Sequence, residues 1–153
     1  MADAGIHVFR VSLRPKLYRD IEIASDDMLS DLALSIIRSF GFDFDHPYGF
    51  YSLLKGNILR SPVKYELFAD MAETRDDSEA DSVERTRIGD VFHKTGRKMT
   101  FLFDYGDNWE FRVELIGRNA KEQGAKYPRV LKKVGKAPEQ YPNPEEDEDD
   151  EEG

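Results

Sequence analysis

At 153 residues, 39% of them hydrophobic, the chain is long enough for one compact domain with its own core, and no apolar run approaches the ~20 residues of a membrane span. Cysteine is absent, which removes disulfides, zinc–thiolate sites and cysteine nucleophiles together; with no secretory signal at "MADAGIHVFR", the expected location is cytoplasmic and no membrane partner is expected. The net charge of -9 is concentrated in residues 145–152, "EEDEDDEE": removing these eight from the 31 acids leaves 23 against 22 Lys and Arg. Like charges at that density repel and bury nothing, so residues 139–153 are expected to be a disordered acidic tail behind a single α+β domain spanning 1–138. A near-neutral body disfavours direct nucleic-acid binding, which needs a clustered basic surface. The densest basic run is "KYPRVLKKVGK", residues 126–136, with five Lys and Arg.

In chain order, "IHVFRVSL" and "LYRDIEIA" alternate with period two and are joined by "RPK", whose proline suits a turn. They predict a β-hairpin. "SDDMLSDLALSIIRSFGF" follows, with Ser25, Asp26 and Asp27 as cap or first-turn residues. Leu29, Leu32, Ala33, Ile36 and Phe40 form a helical stripe, and Gly41 stands at the C-terminal stop. "GFYSLL", 49–54, predicts a short strand. Residues 62–72 read as a short helix or an irregular connection, 73–87 as a mobile polar loop, and "RIGDVFHKTG" as a short helix with Ile88, Val91 and Phe92 on its apolar side. The proline-bearing stretch after the last hairpin reads as irregular wrapping. A hairpin followed by a helix predicts a mixed sheet with helices packed on one face, an elaborated β-grasp-like α+β fold.

The chemistry concentrates in "TFLFDYGDNWEFRVEL", residues 100–115. Phe101, Phe103 and Tyr105 share one strand face; Trp109, Phe111 and Val113 share one face of the next. The two sets lie together if Tyr105 pairs with Trp109 across a three-residue loop, Gly106-Asp107-Asn108, with Asn108 left-handed. That register opposes Leu102 to Arg112 and Asp104 to Glu110. With Asp107 in the turn, three carboxylates then converge at one end of the sheet, where like charges need an offset. The aromatic face packs on the helix, and any uncovered edge becomes a pocket lined by Tyr105 and Trp109. Among the histidines, His46 in "DFDHPY" is the one flanked by carboxylates, Asp43 and Asp45. A Gly-rich phosphate loop is absent from the sequence.

These motifs resemble the plasmid pRiA4b ORF-3-like family over most of residues 7–140. The resemblance rests on "YGDNWEF", "LRPKLYRDIEI", the helix ending in "FG", "DHPYGF" and "YPRV…APE". Asp104, Gly106, Asp107, Asn108, Trp109, His46 and Phe50 match the family's pattern. The chain departs from it at Tyr18 and Phe42, where members often carry tryptophan, at Ala33 and Phe111, where they often carry histidine, and at Lys136–Gln140, where many have a Cys-Pro-Pro-Glu-Asp run. Those departures remove much of what could ligate a metal. The resemblance implies an α+β fold and an association with plasmids and mobile elements, and it brings no activity with it.

The expected function is a non-catalytic binding or interaction module. Its candidate ligand-binding residues are His46, Asp104, Tyr105, Asp107, Asn108, Trp109 and Glu110, and its partner is a protein or a small polar or cationic ligand. No catalytic residue, metal or cofactor is assigned. The alternatives are a metal-dependent hydrolase using Asp104, Asp107, Glu110 and His46, or a nucleic-acid-associated protein of a mobile element. The first needs those four side chains to converge within ~6 Å around an open cleft.

Overall fold

Period-two alternation builds the first hairpin where the sequence predicts it. β1 (Ile6–Arg14) and β2 (Leu17–Ala24) pair antiparallel, with Phe9 opposite Ile21 and His7 opposite Ile23. Pro15 lies in the turn between them, where it is asked for no ladder bond. The computed structural model describes residues 5–67 and 80–141.

The 3.6-residue stripe becomes α1 (Leu29–Ser39), which buries Leu29, Leu32, Ala33, Ile36 and Ile37. Its stop is as expected. Gly41 has φ +75°; its N–H donates to Arg38 O and that of Phe42 donates to Ile37 O, both at 3.0 Å, a Schellman closure. Its start is one residue past the expected caps. The N-cap is Met28, whose N–H donates to the Asp31 carboxylate at 3.0 Å. Ser25 and Asp27 are engaged elsewhere, their carbonyls accepting from Gly89 and Ile88.

Next come β3 (Tyr48–Tyr51), which ends three residues before the predicted limit, and a 3-10 turn over Ile58–Arg60. β4 (Lys64–Glu66) occupies the segment expected as a helix or irregular connection, of which residues 68–72 lie outside the described residues. Of the predicted loop 73–87, residues 73–79 lie outside them too; the remainder holds β5 (Asp81–Ser82) and fully buried Val83. α2 (Ile88–Val91), β6 (Lys98–Phe103), β7 (Trp109–Asn119) and β8 (Arg129–Val134) are the remaining elements among the described residues.

The strands form one eight-stranded sheet in the order β5-β4-β3-β6-β7-β1-β2-β8. β4 and β5 run parallel and the other described neighbours antiparallel, so the sheet is mixed as expected. β1 has antiparallel neighbours on both sides, β2 and β7. The expectation of irregular wrapping at 129–134 is corrected: this stretch is β8, the edge strand on β2. A bulge hides its alternation. Lys132 pairs with Asp20 and Val130 with Ile21, leaving Leu131 as the extra residue.

The main core gathers Phe9, Val11, Phe50, Phe101, Phe103, Phe111, Val113 and Leu115 of the sheet with the buried stripe of α1 and with Ile88, Val91 and Phe92. Phe9 meets Phe92 edge to face, ring centroids 4.8 Å apart. A smaller cluster holds Tyr51, Ile58 and Leu102, with Tyr105 packed against it.

One buried histidine makes the fold sensitive to acid. His7 is 3% exposed; its Nε2 lies 2.9 Å from Phe92 O and its Nδ1 2.7 Å from the Ser25 hydroxyl. A carbonyl only accepts, so Nε2 carries the proton and neutral Nδ1 accepts from Ser25. Burial, ahead of the nearby charges of Arg118 and His93, pushes its pKa below the ordinary 6.5. The unfolded chain therefore binds the proton first as the pH falls. His7 contributes stability that is complete above 6.5 and is lost as the pH drops from there through the lower folded value. The unfolding free energy from urea titrations should fall across that window, and the slope should flatten in His7→Gln.

Candidate functional site

β6 stops at Phe103 because the next residue turns left-handed: Asp104 has φ +65°. Asp104 Oδ1 accepts from the N–H of Gly106 at 3.1 Å and of Asp107 at 3.3 Å, and its carbonyl accepts from Asn108 N–H at 2.6 Å. One aspartate thus ties the whole turn. Asn108 is left-handed as predicted, φ +54°. An alanine there forfeits the tolerance of asparagine for that region. Asn108→Ala should lower the unfolding free energy by about 1 kcal/mol while Asn108→Gly stays within a few tenths, as measured by urea denaturation.

The register differs from the expected one. Phe103, and not Tyr105, pairs with Trp109; Leu102 faces Glu110 and Thr100 faces Arg112. The connection runs over residues 104–108, two longer than predicted, and it remains odd, so Phe101, Phe103, Trp109, Phe111 and Val113 do share the core side. Tyr105 does not. It crosses to the smaller cluster, where its hydroxyl lies 2.8 Å from that of Tyr51, which in turn donates to Glu66 at 2.5 Å. Burial raises both phenols, Tyr105 to about 12. The expected opposition of Asp104 to Glu110 is absent: Glu110 is exposed beside Arg112.

The loop before β3 comes to the turn. Asp104 N–H donates to Pro47 O at 2.9 Å, which brings His46 alongside. His46 Nε2 lies 3.4 Å from Asp104 Oδ2, 3.5 Å from Asp45 Oδ1 and 2.5 Å from the Tyr141 hydroxyl. Tyr141 donates to the Asp45 carboxylate, 3.1 and 3.0 Å from its two oxygens. Gln140 holds this strap down by mimicking a backbone pair: its Oε1 accepts from Asp43 N–H at 2.7 Å and its Nε2 donates to Asp43 O at 3.0 Å. Desolvation, then the hydrogen bond it donates to Asp45 and the charges of Asp45, Asp104 and Asp107, raise the Tyr141 phenol to about 12.

Apolar walls flank the carboxylates. Phe44 stacks on Phe103 at 6.1 Å and remains 39% exposed, and Tyr141 is 50% exposed. An open cavity of about 590 Å³ adjoins them, with Asp31, Asp45, Glu84 and His46 among its lining residues and, among the described residues, no lysine or arginine. The arrangement is an acceptor-rich, acidic recess with exposed rings.

Of the candidate residues, the structure therefore brings His46 and Asp104 together, while Asp107 is exposed in the turn and joins Asp104 through its main-chain N–H. Asn108 shapes the turn. Trp109 packs edge to face on Phe42 at 4.8 Å, and its indole Nε1 is buried with no partner among the described residues. Tyr105 and Glu110 lie apart from His46. Phe44, Gln140 and Tyr141 join the site without having been predicted; the expected start of the disordered tail at 139 is corrected, since Gln140 is buried and both it and Tyr141 are bonded to the 43–45 loop, while 142–153 lie outside the described residues. Among the described residues no three His, Asp or Glu side chains are placed to hold a metal ion, and no helix is long and apolar enough to cross a membrane.

Comparison with known proteins agrees with the motif resemblance. The family model described as "Plasmid pRiA4b ORF-3-like protein" matches residues 5–143. No curated protein sequence matches the chain. Among solved structures, a protein of unknown function from Methanosarcina mazei Go1 superimposes with a TM-score of 0.67 at 19% identity, covering 84% of this chain and 69% of that one. At that identity the likeness shows a shared fold.

Proposed function

Because the chain belongs to the plasmid pRiA4b ORF-3-like family, whose description names no activity, we propose its function from the site itself: a non-catalytic cytoplasmic module that binds a cationic group, an ammonium or guanidinium carried by a protein or a small polar ligand. The observation that supports this most is the meeting of Asp45, Asp104 and His46 at the Tyr141 hydroxyl, with the ring of Phe44 exposed nearby. Carboxylates held by a rigid turn attract a cation without first having to be ordered, and aromatic faces add cation–π attraction. In this reading the supporting architecture is a sheet with the two described α-helices over one face, which is supported by α1 and the α2 segment entering the same core cluster. The β-grasp-like description applies to the β1–β2–α1 opening. The hydrolase alternative needed Glu110 beside Asp104 and His46, and Glu110 faces the other way. The nucleic-acid alternative meets an acidic recess that repels phosphate.

Calorimetric titration with an arginine-containing peptide and its citrulline counterpart tests the reading, because the two differ in charge and hardly in shape. The arginine peptide should bind at least about tenfold tighter, the difference should shrink with added salt, and Asp45→Asn should abolish it. Equal affinities, or binding by neither peptide, would overturn the proposal.

A further inference from the structure

β7 carries the hairpin tip at Trp109 and ends at Asn119, roughly 33 Å away at about 3.3 Å per residue. At that far end Asn119 pairs with Ile6. A second cavity, about 570 Å³, opens there between the start of β1, the β2–α1 turn, the α2 segment and the end of β7. Its volume falls within the range of small-molecule sites.

Charges of both signs line this cavity without neutralising one another. Arg87, Arg118 and His93 come from three places in the chain, and Asp26 and Asp90 face the same space. Among the described residues, no ion pair joins any of these groups to another. Arg118 is nevertheless held in place, because its guanidinium donates to the main-chain carbonyls of Phe92 and His93. Those carbonyls orient the fork, and among the described residues no carboxylate forms an ion pair with it. The buried pair of His7 and Ser25 closes the inner wall.

We propose that this cavity is a second binding site, for a small zwitterion whose anionic group sits on Arg87 and Arg118 and whose amine sits on Asp26 and Asp90. A guanidinium fork matches the paired oxygens of a carboxylate or phosphate. A ligand with only an anionic group would face the two aspartates, and one with only an amine would face the two arginines. A polyanion such as nucleic acid is excluded on the same ground. The proposal stands apart from the hairpin-tip site, sharing no residue with it.

Titrations of the full chain with serine and phosphoethanolamine, beside acetate, inorganic phosphate and ethanolamine as single-charge controls, test it. At least one zwitterion should bind saturably and about tenfold or more tighter than every control. Arg87→Gln should remove its binding, and Asp26→Asn should reduce it to the level of the matching anionic control. Both positions are exposed, so the fold should be unaffected, which circular dichroism checks. Absence of saturable zwitterion binding, controls that bind as tightly, or affinities unchanged in both variants would each overturn the proposal.

Discussion

Phe101→Ala is expected to lower the unfolding free energy by about 3–5 kcal/mol, enough to unfold a marginal domain at modest denaturant. Phe101 is completely buried at the centre of the sheet, and its ring meets four others: Phe50 at 4.8 Å, Tyr48 and Phe111 at 5.7 Å, and Phe103 at 6.4 Å. It pairs directly across the strands with Phe111. Truncation removes ring contacts on every side and leaves a cavity that a sheet, pinned by its ladders on both edges, collapses into poorly. Phe101→Leu keeps most of the volume and should cost less than half as much. Urea denaturation distinguishes the two; a loss below about 1 kcal/mol for the alanine variant would show that the core does not centre on this ring.

Arg19→Met carries the second large effect, about 3 kcal/mol by the same measurement. The Arg19 side chain is buried, and its Nε donates to Ser39 O at 2.9 Å while Nη1 donates to Tyr18 O, Val134 O and Gly135 O at 3.0–3.1 Å. It thus joins the carbonyl end of α1, where a cation is favoured, to the edge strand β8. Its guanidinium also sits 4.6 Å over the Phe40 ring. Methionine fills the volume and supplies no donor, so the buried carbonyl of Ser39 and the half-buried ones of Tyr18 and Val134 lose the partner that holds them together. Arg19→Lys should rescue little, because one ammonium cannot reproduce the fork. Hydrogen exchange should show β8 and the last turn of α1 opening together in both variants. Exchange unchanged there would mean that β8 is held by its ladder alone.

The parts of this fold that were legible beforehand are those governed by local rules. Phe9, Val11, Ile21 and Ile23 alternate, so a hairpin forms; Leu29 to Phe40 repeat helically and Gly41 takes the left-handed stop. What escaped was decided by contacts between distant residues. Asp104 reads as a strand residue, and only its bonds to Gly106, Asp107 and Pro47 show why it leaves the ladder. One left-handed aspartate sends Tyr105 to the opposite side and removes Glu110 from the carboxylate group. The aromatic phase survived because a loop lengthened by two keeps its parity. β8 escaped because a bulge at Leu131 breaks its alternation and three of its six residues are cations. In the site, His46 and its acidic neighbours stand out from composition. Gln140 and Tyr141 do not, since they reach His46 and Asp43 across nearly 100 positions of chain.

Cation recognition at the hairpin tip is measured most directly by following the imidazole resonances of His46 and His7 by NMR while an arginine peptide is added. His46 should move saturably, with the dissociation constant found by calorimetry, and should stop moving in Asp45→Asn; His7, near the opposite end of the sheet, should remain still. Binding that leaves the His46 resonances in place would contradict the account.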